Sequence, residues 1–186
     1  MQASISILIL FCLMATAIAE NDSTVMGPYQ ISFDLSVSKE SYIISPREET
    51  SHYDQGPIKY KLKIKIKNDT DSTHLMTLSL SKGGIDASLT PKSMRMGMRE
   101  SFLKAGLINI NTSEGVIDGK WGAICTGVAQ LKELKFLKPI LIETYQVSYH
   151  PFNDTTAIIT STYPWNEGTM QFLKTLHIER INATAS

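Results

Sequence analysis

The chain has 186 residues, 42% hydrophobic and 19% charged, with eighteen Lys and Arg balanced by eighteen Asp and Glu. This is the composition of a soluble globular domain. The balance leaves none of the basic surplus that nucleic-acid phosphates demand, which argues against a nucleic-acid binder. Seven Tyr, six Phe and two Trp argue against a disordered chain, because they supply apolar surface to offset the entropy lost on folding.

The first nineteen residues read as a secretory signal. An apolar run from Ile5 to Ile18 is too short to span a bilayer, and Ala17-Ile18-Ala19 has the small-x-small form that signal peptidase cleaves. No Lys or Arg precedes the run, so an uncleaved anchor is the competing reading. Bulky Leu10 and Phe11 before Cys12 speak against a lipoprotein signal. Residues 20–186 are then expected to form one domain outside the cytoplasm, secreted or associated with the cell envelope, with no membrane span after cleavage. Asn-x-Ser/Thr acceptors at Asn21, Asn68, Asn111, Asn153 and Asn182 agree with export and are candidates for glycosylation. Each sits in a polar stretch read as a turn or an end, and the plain alternative is turn chemistry, since Asn and Asp bond nearby backbone. With Cys12 removed, Cys125 is the one remaining thiol, so no internal disulfide is expected and the thiol reads as a small buried hydrophobe.

Apolar residues at Tyr29, Ile31, Phe33, Leu35 and Val37 alternate with polar ones, which predicts a strand with one buried face. Ile58, Tyr60, Leu62, Ile64 and Ile66 alternate with Lys59, Lys61, Lys63, Lys65 and Lys67. A turn over Asn68-Asp69-Thr70-Asp71-Ser72 and resumed alternation at Met76, Leu78 and Leu80 make residues 58–80 an antiparallel hairpin. A helix is predicted over 91–105, with Thr90 as N-cap, Pro91 at the first position, Met94, Met98, Phe102 and Ala105 at helical spacing, and Gly106 as a left-handed stop. Further strands are predicted at 41–45, 107–111, 120–129, 139–149, 155–162 and 176–181, with a hairpin turn at Asp118-Gly119. A second helix over 166–175 would bury Met170, Leu173 and Leu176. Helices interspersed with strands predict an α+β fold in which a mostly antiparallel twisted sheet is covered by helices.

Three segments carry a resemblance: Gly27 to Leu35, Val116-Ile117-Asp118-Gly119-Lys120, and Ser161-Thr162-Tyr163-Pro164-Trp165 followed by Gly168 to Glu179. They resemble a group of secreted, uncharacterised proteins found in methane-producing archaea. More distantly, the order of elements over residues 27–180 is similar to the PsbP-like α/β/α sandwich, in which a twisted antiparallel sheet lies between helices. The archaeal group brings no established activity, so the resemblance implies no catalytic residue.

The sequence holds no G-x-S-x-G elbow, no H-E-x-x-H helix and no phosphate-cradling Gly-rich loop. Its four His, at 52, 74, 150 and 177, show no ligand-like spacing, so neither a metal nor another cofactor is expected. An EF-hand loop begun at Asp69 would place His74 where Gly is required and Leu80 where the bidentate Glu belongs. Met94 and Met98 are expected to fill a core, with Met96 to the side, and Trp165 to staple the second helix.

The most distinctive surface feature is the Lys ladder. Alternate residues of a strand lie about 6.6–7 Å apart, so these ammonium groups repel one another unless water or anions reach them, and their face must be open. The sharper reading is docking on an acidic glycan, protein or other cell-envelope component. The plainer one is a solvated face whose Lys residues discourage edge pairing. The functional expectation is therefore a noncatalytic extracellular binding module. The alternative is a small-ligand carrier or hydrolase assembled from distant loops, with Asp34, Glu49, Asp54 and His150 as the first residues to inspect.

Overall fold

A computed structural model describes residues 22–35, 42–49, 58–66, 75–83, 89–131, 140–162 and 167–181. Within them the chain runs β1 (Asp22–Met26), β2 (Tyr29–Phe33), β3 (Tyr42–Glu49), β4 (Ile58–Ile66), β5 (Leu75–Lys82), α1 (Pro91–Lys104), β6 (Ile108–Ile117), β7 (Lys120–Leu131), β8 (Ile140–Phe152), β9 (Thr155–Ser161), α2 (Glu167–Thr175) and β10 (His177–Arg180). Two antiparallel sheets result. The larger has the order β3-β4-β5-β9-β8-β7-β6 and the smaller β1-β2-β10. No described helix is long and apolar enough to cross a membrane.

The expected helix-covered α/β/α sandwich is not formed. Strands dominate the described residues, and the inner face of the large sheet is closed by the small sheet together with α2. The reason lies at the two ends of the chain. β1, the polar run Asp22-Ser23-Thr24-Val25-Met26, shows almost no apolar alternation, yet it pairs with β2 from Asp22↔Phe33 to Met26↔Tyr29. β10 pairs with the other side of β2, from His177↔Ser32 to Arg180↔Tyr29. A strand expected to join one large sheet thus becomes the middle of a second one.

The period-two pattern builds the inner core. The register aligns Leu62↔Leu78↔Ile159↔Val147↔Ile124 straight across five strands, and all but Ile124 are fully buried. Each such side chain stabilises the fold by about 1.5–3 kcal/mol relative to exposure. One row along, Tyr60, Leu80, Ala157 and Tyr149 lead to Gly122 and Gly115. The small residues admit the Tyr149 ring, since a Cβ on Gly122 would lie 2.7 Å from both the Ser148 carbonyl oxygen and Tyr149 Cβ. From the small sheet, Tyr29 meets Tyr60 edge to face at 5.6 Å, and Phe33 meets Phe172 of α2 at 5.1 Å. Burial pushes the Tyr145 phenol up to about 12, against hydrogen bonds to Ser161 and Thr169 that pull it down; burial, with the Asp118 carboxylate adding to it, also raises Tyr149 well above its ordinary value.

α1 forms as its signals predict. The Thr90 hydroxyl accepts the Ser93 amide at 3.2 Å, Pro91 opens the first turn, and Gly106 ends it at φ 75°. Met94, Met98 and Phe102 pack on Ala123 and Cys125 of β7, while Met96 stays exposed. In α2, Leu173 and, just past its end, Leu176 are buried as expected, but Met170 is exposed, and Thr169 and Phe172 are buried instead. Phe172, two positions on from Met170, is the residue that meets Phe33. The Asp118-Gly119 turn has both residues at positive φ, 50° and 68°, the form that matches the twist of a two-residue hairpin. The turn at residues 68–72 and Trp165 lie outside the described residues.

Candidate binding face

The outer face of the large sheet, opposite the small one, carries the Lys ladder. Leu62 and Ile64 point into the inner core, so Lys59, Lys61, Lys63 and Lys65 point outward; Lys59 and Lys65 are exposed, Lys61 and Lys63 half-buried. Lys67 lies outside the described residues. β4 is flanked by β3 and β5, so it is not an edge strand and edge protection does not account for its lysines. In register, Lys59 stands opposite Glu49 and Ser81, Lys61 opposite Arg47 and Ser79, and Lys63 opposite Ser45 and Thr77. Continuing away from the lysines, β9 adds Thr156, Ile158 and Thr160, and β8 adds Ser148 and Gln146. The face is therefore cationic at one side, while Thr156 and Ser148 in its middle are buried, the Thr156 hydroxyl against His150.

α1 covers the far side of this face. It packs on β6 and β7 and touches β8. Arg95 reaches Glu114 of β6 at 3.7 Å. Cys125 lies beneath the helix, fully buried, and burial raises its thiol above the ordinary value against the pull of Arg99. Beyond the helix start, Val116 and Trp121 form a cross-strand pair on the same outer face, 60% and 65% exposed. Composition alone would have put Trp121 in the core.

The acid and base candidates do not converge. Asp34 is buried at the end of β2, where its amide donates to Thr175 Oγ1 at 2.9 Å and its carboxylate accepts Gln171 Nε2 at 3.3 Å. His150 is on the opposite side of the large sheet, with Nδ1 3.0 Å from Thr156 Oγ1 and a buried Nε2 that makes no hydrogen bond. Glu49 is placed by its register alone, and Asp54 lies outside the described residues. Among the described residues no three His, Cys, Asp or Glu are grouped to hold a metal.

Of the acceptor asparagines, Asn153 is exposed at the tip of the β8–β9 hairpin, while Asn111 is exposed within the edge strand β6 rather than in a turn, just past a break in pairing near Asn109 (φ 53°). Asn21, Asn68 and Asn182 lie outside the described residues.

One cluster escaped the sequence reading altogether. Arg180 of β10 lies 4.5 Å above the Phe152 ring, pairs with Asp154, and reaches Thr155 Oγ1 at 3.2 Å. Arg180, Phe152 and Asp154 line, with Lys120, Pro151 and Asn153, a recess of about 380 Å³. Burial alone would raise the Asp154 carboxyl, but the Thr155 hydroxyl and the Arg180 guanidinium outweigh it and hold the group below its ordinary value. The parts come from a hairpin and a distant terminal strand, so no local spacing could announce them.

The chain matches no protein-family model, no curated protein and no solved structure.

Proposed function

We propose that the protein is an exported binding module that docks on an anionic component of the cell envelope through the outer face of its large sheet. The observation that carries this reading is the alignment of Lys59, Lys61, Lys63 and Lys65 on one side of an interior strand. Four cations held in a row by the sheet attract an extended anionic surface without the loss of conformational freedom that a flexible basic tail would suffer on binding. The hydroxyls of Thr77, Ser79 and Ser81 beside them hydrogen-bond without adding repulsion. The apolar run at Ile5–Ile18, the Ala17-Ile18-Ala19 site and the resemblance to secreted archaeal proteins support export.

Retention on an anionic matrix tests the reading. The wild-type protein should elute at a salt concentration that falls steeply when Lys61, Lys63 and Lys65 are replaced by Gln, with the thermal melt unchanged. Equal elution of the two proteins would refute it.

A further inference from the structure

The large sheet ends on two strands of opposite character. β3 carries Pro46, Arg47, Glu48 and Glu49, residue types with which natural sheets keep an edge from pairing. β6, at the other end, has no Pro, Lys or Arg in its ten residues, and its single charge, Glu114, is met by Arg95 of α1. Among the described residues it pairs with β7 alone, so one row of its amides and carbonyls lies open. Arg95 stands over Glu114 and Phe102 over Gly127, so α1 runs antiparallel to β6. Exposed apolar groups therefore lie at both ends of the open row: Val116 and Trp121 near the start of the helix, Leu103 (54% exposed) and Ile108 near its end.

We infer that the open edge of β6 pairs with β6 of a second copy of this chain, antiparallel about a two-fold axis at Ser113. The two large sheets then join, and their α1 helices lie side by side on one face. Three relationships select a second copy. An axis at Ser113 sets Glu114 opposite Thr112 of the other copy, and Gly115 opposite Asn111, so the one charged residue of the strand does not meet itself. α1 packs on both β6 and β7, about half a strand spacing inside the edge. A partner strand at the ordinary separation puts the two helix axes about 10 Å apart, the distance at which helices pack. Arg95, Arg99 and Leu103 recur every fourth residue along the flank of α1 that reaches β6. The two-fold carries Leu103 of each copy to Val116 and Trp121 of the other, and Arg99 to Glu114, so apolar groups cover one another and opposite charges meet. A peptide of another protein would hydrogen-bond the same edge but would bring no helix to cover Leu103 and Trp121. The pairing is independent of the docking reading, because β4 lies toward the far end of the sheet.

Sedimentation equilibrium of the purified full chain tests the pairing. Expected is a dimer whose dissociation constant rises at least tenfold in Ser113→Lys, where two ammonium groups would face each other across the axis, and also in Leu103→Glu and Trp121→Ala. All three positions are exposed, and near-ultraviolet circular dichroism of the variants checks that the fold is kept. Ser113→Cys should form an intermolecular disulfide under mild oxidation, because the two-fold brings its two copies together, whereas Ser45→Cys on the guarded edge β3 should not. The native thiol of Cys125 is buried and takes no part. A wild-type protein that stays monomeric at its highest soluble concentration overturns the inference. So does a dimer indifferent to both Ser113→Lys and Leu103→Glu, or one that Ser45→Cys links in preference to Ser113→Cys. Lysine-dependent retention on the anionic matrix is read separately, so either reading can fail while the other stands.

Discussion

His177 Nδ1 donates to Oδ1 of Asp118 at 2.7 Å, while the second carboxylate oxygen accepts the Ile178 amide at 3.0 Å. One side chain, set at the β6–β7 turn, thereby fastens β10 of the small sheet to the large one. Asp118 also holds φ 50°, a conformation that Asp and Asn tolerate better than Ala. Asp118→Ala should lower stability by about 1–3 kcal/mol in denaturant unfolding, through the lost acceptor and the backbone strain. Asp118→Asn, which keeps an acceptor oxygen and the turn preference, should cost less. Hydrogen exchange at the Ile178 amide should accelerate in the Ala variant alone.

Gly122→Ala should destabilise by about 1–3 kcal/mol, because the new methyl would meet the Ser148 carbonyl and Tyr149 Cβ at 2.7 Å and neither backbone nor Cβ can swing aside. Gly119→Ala offers a contrast. Nothing lies within 4 Å of a Cβ there, so its cost should come from the positive φ of 68° alone. Paired urea titrations of the two variants separate clash from backbone strain.

The strands whose buried face alternates cleanly are legible in the sequence. Ile58 to Ile66, Met76 to Leu80 and Ala157 to Ser161 have one apolar side, and α1 has local caps at both ends, Thr90-Pro91 and Gly106. Layering was not legible. β1 offers Val25 and Met26 as its apolar residues, and it is the pairing with Tyr29 to Phe33 that makes it a strand. The same limit hid the arrangement of the outer face: a pattern shows that the lysines share a side, but not that β4 is interior or that Trp121 shares that side four strands away. Those facts depend on strand order, which nothing local in the sequence sets.

The Cys125 thiol should resist modification in the folded protein. It is fully buried between β7 and α1, and burial holds it protonated above its ordinary range, so little thiolate exists at neutral pH and no reagent reaches it. Ellman's reagent should react completely in denaturant and only at the rate of local opening without it. Prompt reaction of the native protein would show that α1 does not stay seated.

Acid should weaken the β8–β9 hairpin's tie to β10. The Asp154 carboxyl is held below its ordinary value of 3.8 in the folded state, so its pairing with Arg180 and Thr155 stabilises above that value and is lost as the pH falls through the lowered one. Asp154 and Arg180 are partly exposed, so solvent and salt reduce the effect. Thermal melts between neutral pH and pH 3 should show a smaller loss for Asp154→Asn than for the wild-type protein.

The seat of Thr155 imposes an order on biosynthesis. Its hydroxyl, the element by which an Asn153-Asp154-Thr155 acceptor is read, is shut inside, shared between Tyr29 at 2.8 Å and the Asp154 carboxylate at 2.9 Å. Any sugar destined for Asn153 would have to arrive while this stretch was still an open thread. A molecule that closed its hairpin first would stay bare at that tip for its whole lifetime.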